Sequence, residues 1–194
     1  MKCVHFKKSD EKEREIMKVK KSGFTLIEIV VVLTIIGILA MILVPSMIGY
    51  VKKSRRSSDI TSARTIRNDA AAVLAEGDED AEDAFYSGGG TVQSVSVEYA
   101  GKTENYSIII LAEKEANAFV EWKSTASGTE KFIDLLNAME DKRVDMKYID
   151  PEGGEKLNRW FLAKDAGDSD RIEVWAGDAS GPKYRVWPQT EANY

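Results

Sequence analysis

The chain is poor in the residues from which most enzyme sites and covalent cross-links are built. Of its 194 residues one is Cys (Cys3) and one is His (His5), so residues 24–194 contain neither. Disulfides, Cys/His zinc sites and Ser–His or Cys–His nucleophile pairs are therefore excluded from that body. Carboxylate chemistry and oxygen-ligated metals stay open, although no paired-acid motif stands out. A body without Cys suits an exported protein that does not depend on disulfides. Positive charge is scarce there too. Residues 1–23 hold 8 Lys and Arg against 4 Asp and Glu, whereas the remaining 171 carry 19 against 28, a net charge of −9. A basic start on an acidic body disfavours a general nucleic-acid binder, so DNA is not expected as a direct ligand.

What the chain does have is one long apolar run. Residues 24–51 contain a single charge, Glu28, and thirteen of the twenty residues 29–48 are Ile, Val or Leu. At about −0.3 to −0.6 kcal/mol each, those thirteen favour membrane insertion by about −4 to −8 kcal/mol, against at most about +3 for one acid near the helix end. Twenty such residues span the hydrocarbon core. No pair of small residues two apart occurs over residues 37–51 and no Cys follows the run, so neither an ordinary secretory nor a lipoprotein cleavage site is present. The segment is expected to be retained. Basic residues flank both ends, Lys18, Lys20 and Lys21 before it and Lys52, Lys53, Arg55 and Arg56 after it. The positive-inside rule alone therefore leaves its orientation open.

The junction Gly23-Phe24-Thr25-Leu26-Ile27-Glu28 in front of this run resembles the type IV pilin and pseudopilin superfamily. The resemblance is strong over the first fifty or so residues and rests on architecture alone beyond them. It implies cleavage by a membrane prepilin peptidase between Gly23 and Phe24 on the cytoplasmic side, N-methylation of Phe24, and a helix running outward from the cytoplasm. Glu28 then becomes the assembly residue. A carboxylate among packed apolar helices needs a partner, and the amine created at Phe24 can supply one, within a chain or from an incoming subunit to one already assembled. Pro45 removes a backbone hydrogen bond and Gly37 is a second weak point, so a kink or locally melted stretch is expected there.

Beyond the run, Ile60, Ala63, Ile66, Ala70, Val73 and Leu74 fall on one helical stripe, with Arg64, Arg67, Asn68 and Asp69 away from it. One helix is predicted over residues 25–75, apolar all round in its first half and amphipathic in its second. Lys52, Lys53, Arg55 and Arg56 read as a stop at the outer headgroups, with DNA or a neighbouring subunit's acids as competing contacts. Gly77 and the acidic Asp78-Glu79-Asp80 end the helix, followed by one short turn up to Tyr86. After Gly88-Gly89-Gly90, alternation in Val95, Val97 and Tyr99 and again in Tyr106, Ile108 and Ile110 predicts a hairpin through Gly101-Lys102. A helix follows Thr129 as its N-cap, carrying Phe132, Ile133, Leu135, Leu136 and Met139. Strands are predicted at Val144, Met146 and Tyr148, around Trp160 to Leu162, and as a hairpin joining Ile172 to Trp175 with Tyr184 to Trp187. Trp122, Trp160, Trp175 and Trp187 are expected as core or rim aromatics standing in for a disulfide clamp, with a carbohydrate platform as the other reading. Asp165, Asp168, Asp170 and Asp178 are acidic-loop residues and the weak calcium candidates; their spacing fits no EF-hand. Asn105-Tyr106-Ser107 is a glycosylation tripeptide.

The expected fold is α+β: a long N-terminal helix, transmembrane in its first half, packed on a C-terminal antiparallel β-sheet head, the lollipop of pilins. The expected division is a cleaved leader 1–23, a transmembrane and filament-core helix 24–51, an amphipathic half 52–76 and a β-rich head 77–194. The resemblance implies a structural subunit of a type IV pilus, a membrane protein that becomes a surface fibre, or alternatively a pseudopilin of a type II secretion or DNA-uptake machine. A signal-anchored exported enzyme is the reading outside that class. No cofactor is expected. Partners would be other copies and other pilins, the prepilin peptidase, the assembly platform with its ATPase, and the membrane before assembly. Starting at Met17 gives the compact basic leader Met-Lys-Val-Lys-Lys-Ser-Gly, without the acids Asp10, Glu11, Glu13 and Glu15. The intact mass of the precursor in cells lacking the peptidase should correspond to a Met17 start; a mass counted from Met1 would refute it.

Overall fold

The computed structural model describes residues 23–139, 143–148 and 156–194. Residues 1–22 of the expected leader, with Met17, lie outside them. The chain divides into two compact units, residues 1–45 and 46–194.

The described part of the first unit is almost wholly helical. Helix α1 (Leu26–Ala75) begins there and runs without interruption through Gly37 and Pro45. No stretch is melted at either position, although Pro45 brings no N–H to the carbonyl of Met41. Every residue from Gly23 to Val51 is exposed, and α1 contains a stretch long and apolar enough to cross a membrane.

In the second unit α1 becomes one-sided. Ala63, Ile66, Ala70 and Val73 are fully buried, with Ile60 and Leu74 packed at the margin. Helix α2 (Glu79–Ser87) follows, longer than a single turn, because Asp78 caps it by accepting from the Ala81 N–H at 3.0 Å. Six antiparallel strands come next, with α3 (Glu130–Met139) after the third: β1 (Thr91–Tyr99), β2 (Lys102–Glu115), β3 (Lys123–Ser124), β4 (Arg159–Asp165), β5 (Ile172–Asp178) and β6 (Gly181–Trp187). The order is β1-β2-β4-β5-β6, with β3 on β2. The β1–β2 turn places Ala100 at φ 51° and Gly101 at φ 75°. A two-residue type I′ hairpin requires positive φ at both positions.

The period-2 alternation gives each strand two destinations. Trp160, Leu162, Val174, Ala176 and Val186 join the core formed with α1, α2 and α3, while Val97, Ile108, Phe161, Ala163 and Trp175 line the other face. That second face is closed by curling. The tail beyond β6 reaches back to β1, where the Ala192 N–H donates to the Glu98 carbonyl at 2.9 Å.

One expectation fails here. Val144, Met146 and Tyr148 form no strand; Arg143 makes only an isolated bridge to Phe119. Side chains take that segment's donors instead of a ladder: the Met146 N–H donates to Asn117 Oδ1, and those of Lys147 and Tyr148 to the Asp59 carboxylate. Thr129 holds the N-cap position of α3, where its carbonyl accepts the Ile133 N–H at 3.1 Å, and its hydroxyl donates to the Ala126 carbonyl at 2.8 Å. Three of the four Trp are core residues. Trp187 is half-buried, with the Arg64 guanidinium 5.0 Å over its ring.

Candidate functional site: the helix start and the helix anchor

The start of α1 is set by local chemistry. The Thr25 N–H and hydroxyl donate to Glu28 Oε2 at 2.8 and 2.7 Å, and the Glu28 N–H donates back to Thr25 Oγ1 at 3.3 Å. This is a reciprocal capping box, which satisfies donors that a helix N-terminus otherwise leaves orphaned. Its sequence form, Thr-x-x-Glu before an apolar run, is visible in the chain, where the same Glu28 also reads as the assembly residue. The box leaves Gly23 and Phe24 as exposed, non-helical residues just outside the helix, and an added Cβ at Gly23 would meet nothing within 4 Å. It also holds the Glu28 carboxylate against Thr25, next to the position at which cleavage would create the Phe24 amine.

The second constellation escaped sequence reading. Asp59, one turn past the basic cluster, is fully buried. Its carboxylate accepts the N–H groups of Lys147 and Tyr148 and the hydroxyl of Tyr194, each at 2.7 Å. Burial outweighs these hydrogen bonds and raises its pKa; burial also raises that of the Tyr194 phenol, and the neighbouring Asp59 carboxylate adds to the effect. Tyr194 packs against Tyr148 and Tyr184. Beside it Arg56 donates to the Glu191 carbonyl at 2.8 Å. The tail after β6 is thus tied to α1, to β1 and to the 143–148 segment without a disulfide. A single Asp on a mostly polar stretch of helix carries no pattern that announces this; only its period with Ile66 and Val73 hinted at burial.

Inside the curl lies a third polar group. Glu173, fully buried, accepts from the Tyr106 hydroxyl and from Trp175 Nε1 and pairs with Arg171 Nε at 3.0 Å. Arg185, also buried, donates to Tyr106 and to the Gln189 carbonyl. Burial raises the Glu173 and Glu191 carboxyls above their ordinary values. Glu173 and Arg185 are enclosed, and their bonds brace the sheet, with Arg185 Nη2 left without a hydrogen-bond partner.

The acidic-loop residues do not converge. Asp165 accepts from the Gly167 N–H and pairs with Arg171, while Asp178 accepts from Ser180 at the far end of β5. Seven strand residues put the two ends about 20 Å apart. Among the described residues no group of three or more His, Cys, Asp or Glu is placed to hold a metal ion. Asn105 is exposed within β2, on a strand rather than in a loop.

Comparison with known proteins places the first constellation. Residues 18–44 match the family described as the prokaryotic N-terminal methylation motif, the leader signature of type IV pilins and pseudopilins. The match takes in Gly23, Phe24, Glu28 and Gly37 and stops one residue short of Pro45. No solved structure matches the chain.

Asp59→Ala should leave three buried donors unpaired and cost about 3 kcal/mol or more, and Tyr194→Phe about 1 to 2 kcal/mol, both measured by urea unfolding of the detergent-solubilised chain. Because Asp59, Glu173 and Glu191 bind protons more tightly folded than unfolded, their stabilisation is complete below ordinary carboxyl values and is lost as pH rises through the raised ones. Burial raises the Asp69 carboxyl in the same way, and the exposed Asp178, which shifts in the opposite direction, is one group against four. The urea midpoint should therefore rise from neutral pH down to about 5, and less so in Asp59→Asn. A midpoint that falls over that range would contradict the assignment.

Proposed function

We propose that this chain is the structural subunit of a type IV pilus. It is anchored in the cytoplasmic membrane by residues 24–51, cut between Gly23 and Phe24 by a prepilin peptidase, methylated on Phe24 and polymerised through its N-terminal helix, with the head left as the fibre surface. Its work is structural rather than catalytic.

One observation carries the reading: behind the methylation motif, α1 presents Ile, Val and Leu side chains to the outside on all sides over residues 26–48. Fully burying one such side chain is worth about 1.5 to 3 kcal/mol. More than a dozen left in water would outweigh the whole stability of a domain, about 5 to 15 kcal/mol. Lipid before assembly and neighbouring helices after it provide the cover. Glu28 supports the same reading, since an acid among such helices needs a partner and the new Phe24 amine is the nearest one that processing can create.

Glu28→Ala should still be inserted and cut, but electron microscopy of sheared surface material should show fibres containing this chain reduced about tenfold or more, as expected for loss of a desolvated charge pair. Normal fibre yield from the variant, or wild-type chain found only in short envelope-bound assemblies, would contradict the pilus reading.

A further inference from the structure

Residues 46–194 carry opposite charge at two separated places. Near the start of the part of α1 that belongs to this unit, Lys52, Lys53 and Arg55 are exposed, and among the described residues none of them pairs with a carboxylate; Arg56 is spent on the Glu191 carbonyl. Past the upper end, Glu76 and the α2 acids Glu79, Asp80 and Asp83 are exposed and equally unpaired, while Asp78 is spent on Lys131 at 3.5 Å and on capping α2. From Lys53 to Glu76 the helix rises about 35 Å at 1.5 Å per residue. No side chain spans that distance, so the two charged ends cannot meet within one copy.

We propose that they meet between copies: the basic turn Lys52, Lys53 and Arg55 of one subunit docks on the acidic end of another, Glu76 with α2. The docked copies are displaced by about 35 Å along α1. This rests on the polymerisation proposed above and adds to it a second determinant of register. An apolar surface of Ile, Val and Leu distinguishes poorly between alignments one helical turn apart, because each offers similar side chains to its neighbour. Three cations against four acids do distinguish them, since misregister sets like charges together or leaves charges unpaired. Single exposed ion pairs are weak and salt-screened, so the contact acts as a network and weakens as salt rises.

The test uses the full chain in a Cys3→Ser background, which leaves the body free of other thiols. Lys53→Cys is combined in turn with Glu79→Cys, Asp80→Cys and Asp83→Cys, and intact fibres are treated with a short bis-maleimide. At least one pair should give a ladder of dimers and higher multimers, because every copy carries both halves of the contact; each single-Cys chain should stay monomeric. In parallel, the double variant Lys53→Glu/Arg55→Glu should lower fibre yield about tenfold or more, and adding Glu79→Lys/Asp80→Lys should restore it. Fibres that form normally but give no ladder with any pair would overturn the docking while leaving the pilus reading standing. So would a double variant that loses binding to anionic vesicles yet assembles normally, which would assign the turn to lipid headgroups. A Cys3→Ser chain that forms no fibre at all would overturn the polymerisation reading and this inference together.

Discussion

A helix surface that the chain has no means of covering governs the rest of this molecule. Residues 26–48 are apolar on every side, and the fold makes no use of them: the core begins with Asp59 and Ala63. A soluble protein would bury a single stripe of such a helix. Here the helix keeps a stripe only from residue 60 onward, where the sheet and α2 pack on it. The first half answers to lipid or to other copies, and the second half to its own sheet. The methylation motif, residues 18–44, covers most of that apolar first half.

Holding the second half of α1 to the sheet requires a secure junction. With no Cys in the body, the junction is polar. Asp59 gathers two backbone N–H groups and the hydroxyl of the final residue, and Arg56 holds the Glu191 carbonyl one turn earlier. Breaking a buried group of this kind costs more than the bond itself contributes, because the donors left behind stay desolvated. The aromatic residues expected to replace a disulfide do so only in part. Trp160 and Trp175 fill the two faces of the sheet, but the C-terminus is held by the hydroxyl of Tyr194.

Much of this was legible from residue patterns. The 28-residue run with one charge required a long exposed helix, the stripe from Ile60 to Leu74 required packing on one side, and Gly101 with the flanking alternation required a tight hairpin; all three follow from periodicity and turn chemistry that act locally. What escaped depends on contacts distant in sequence. Nothing near Asp59 shows that it will meet residues 147, 148 and 194. The alternating Val144, Met146 and Tyr148 looked like a strand because alternation records which side chains are buried, not which groups take the backbone donors. At the processing end, one motif held two meanings: Thr25 and Glu28 cap the helix of the single chain, and the same Glu28 faces the end at which processing would create an amine.

That coincidence makes the N-terminus the place to measure. Intact mass and N-terminal fragmentation of the chain extracted from sheared surface fibres should give a polypeptide that begins at Phe24 and carries one added methyl group on its amine. Fibres built from chains that begin at Met1 or Met17, with Gly23 still joined to Phe24, would contradict the account.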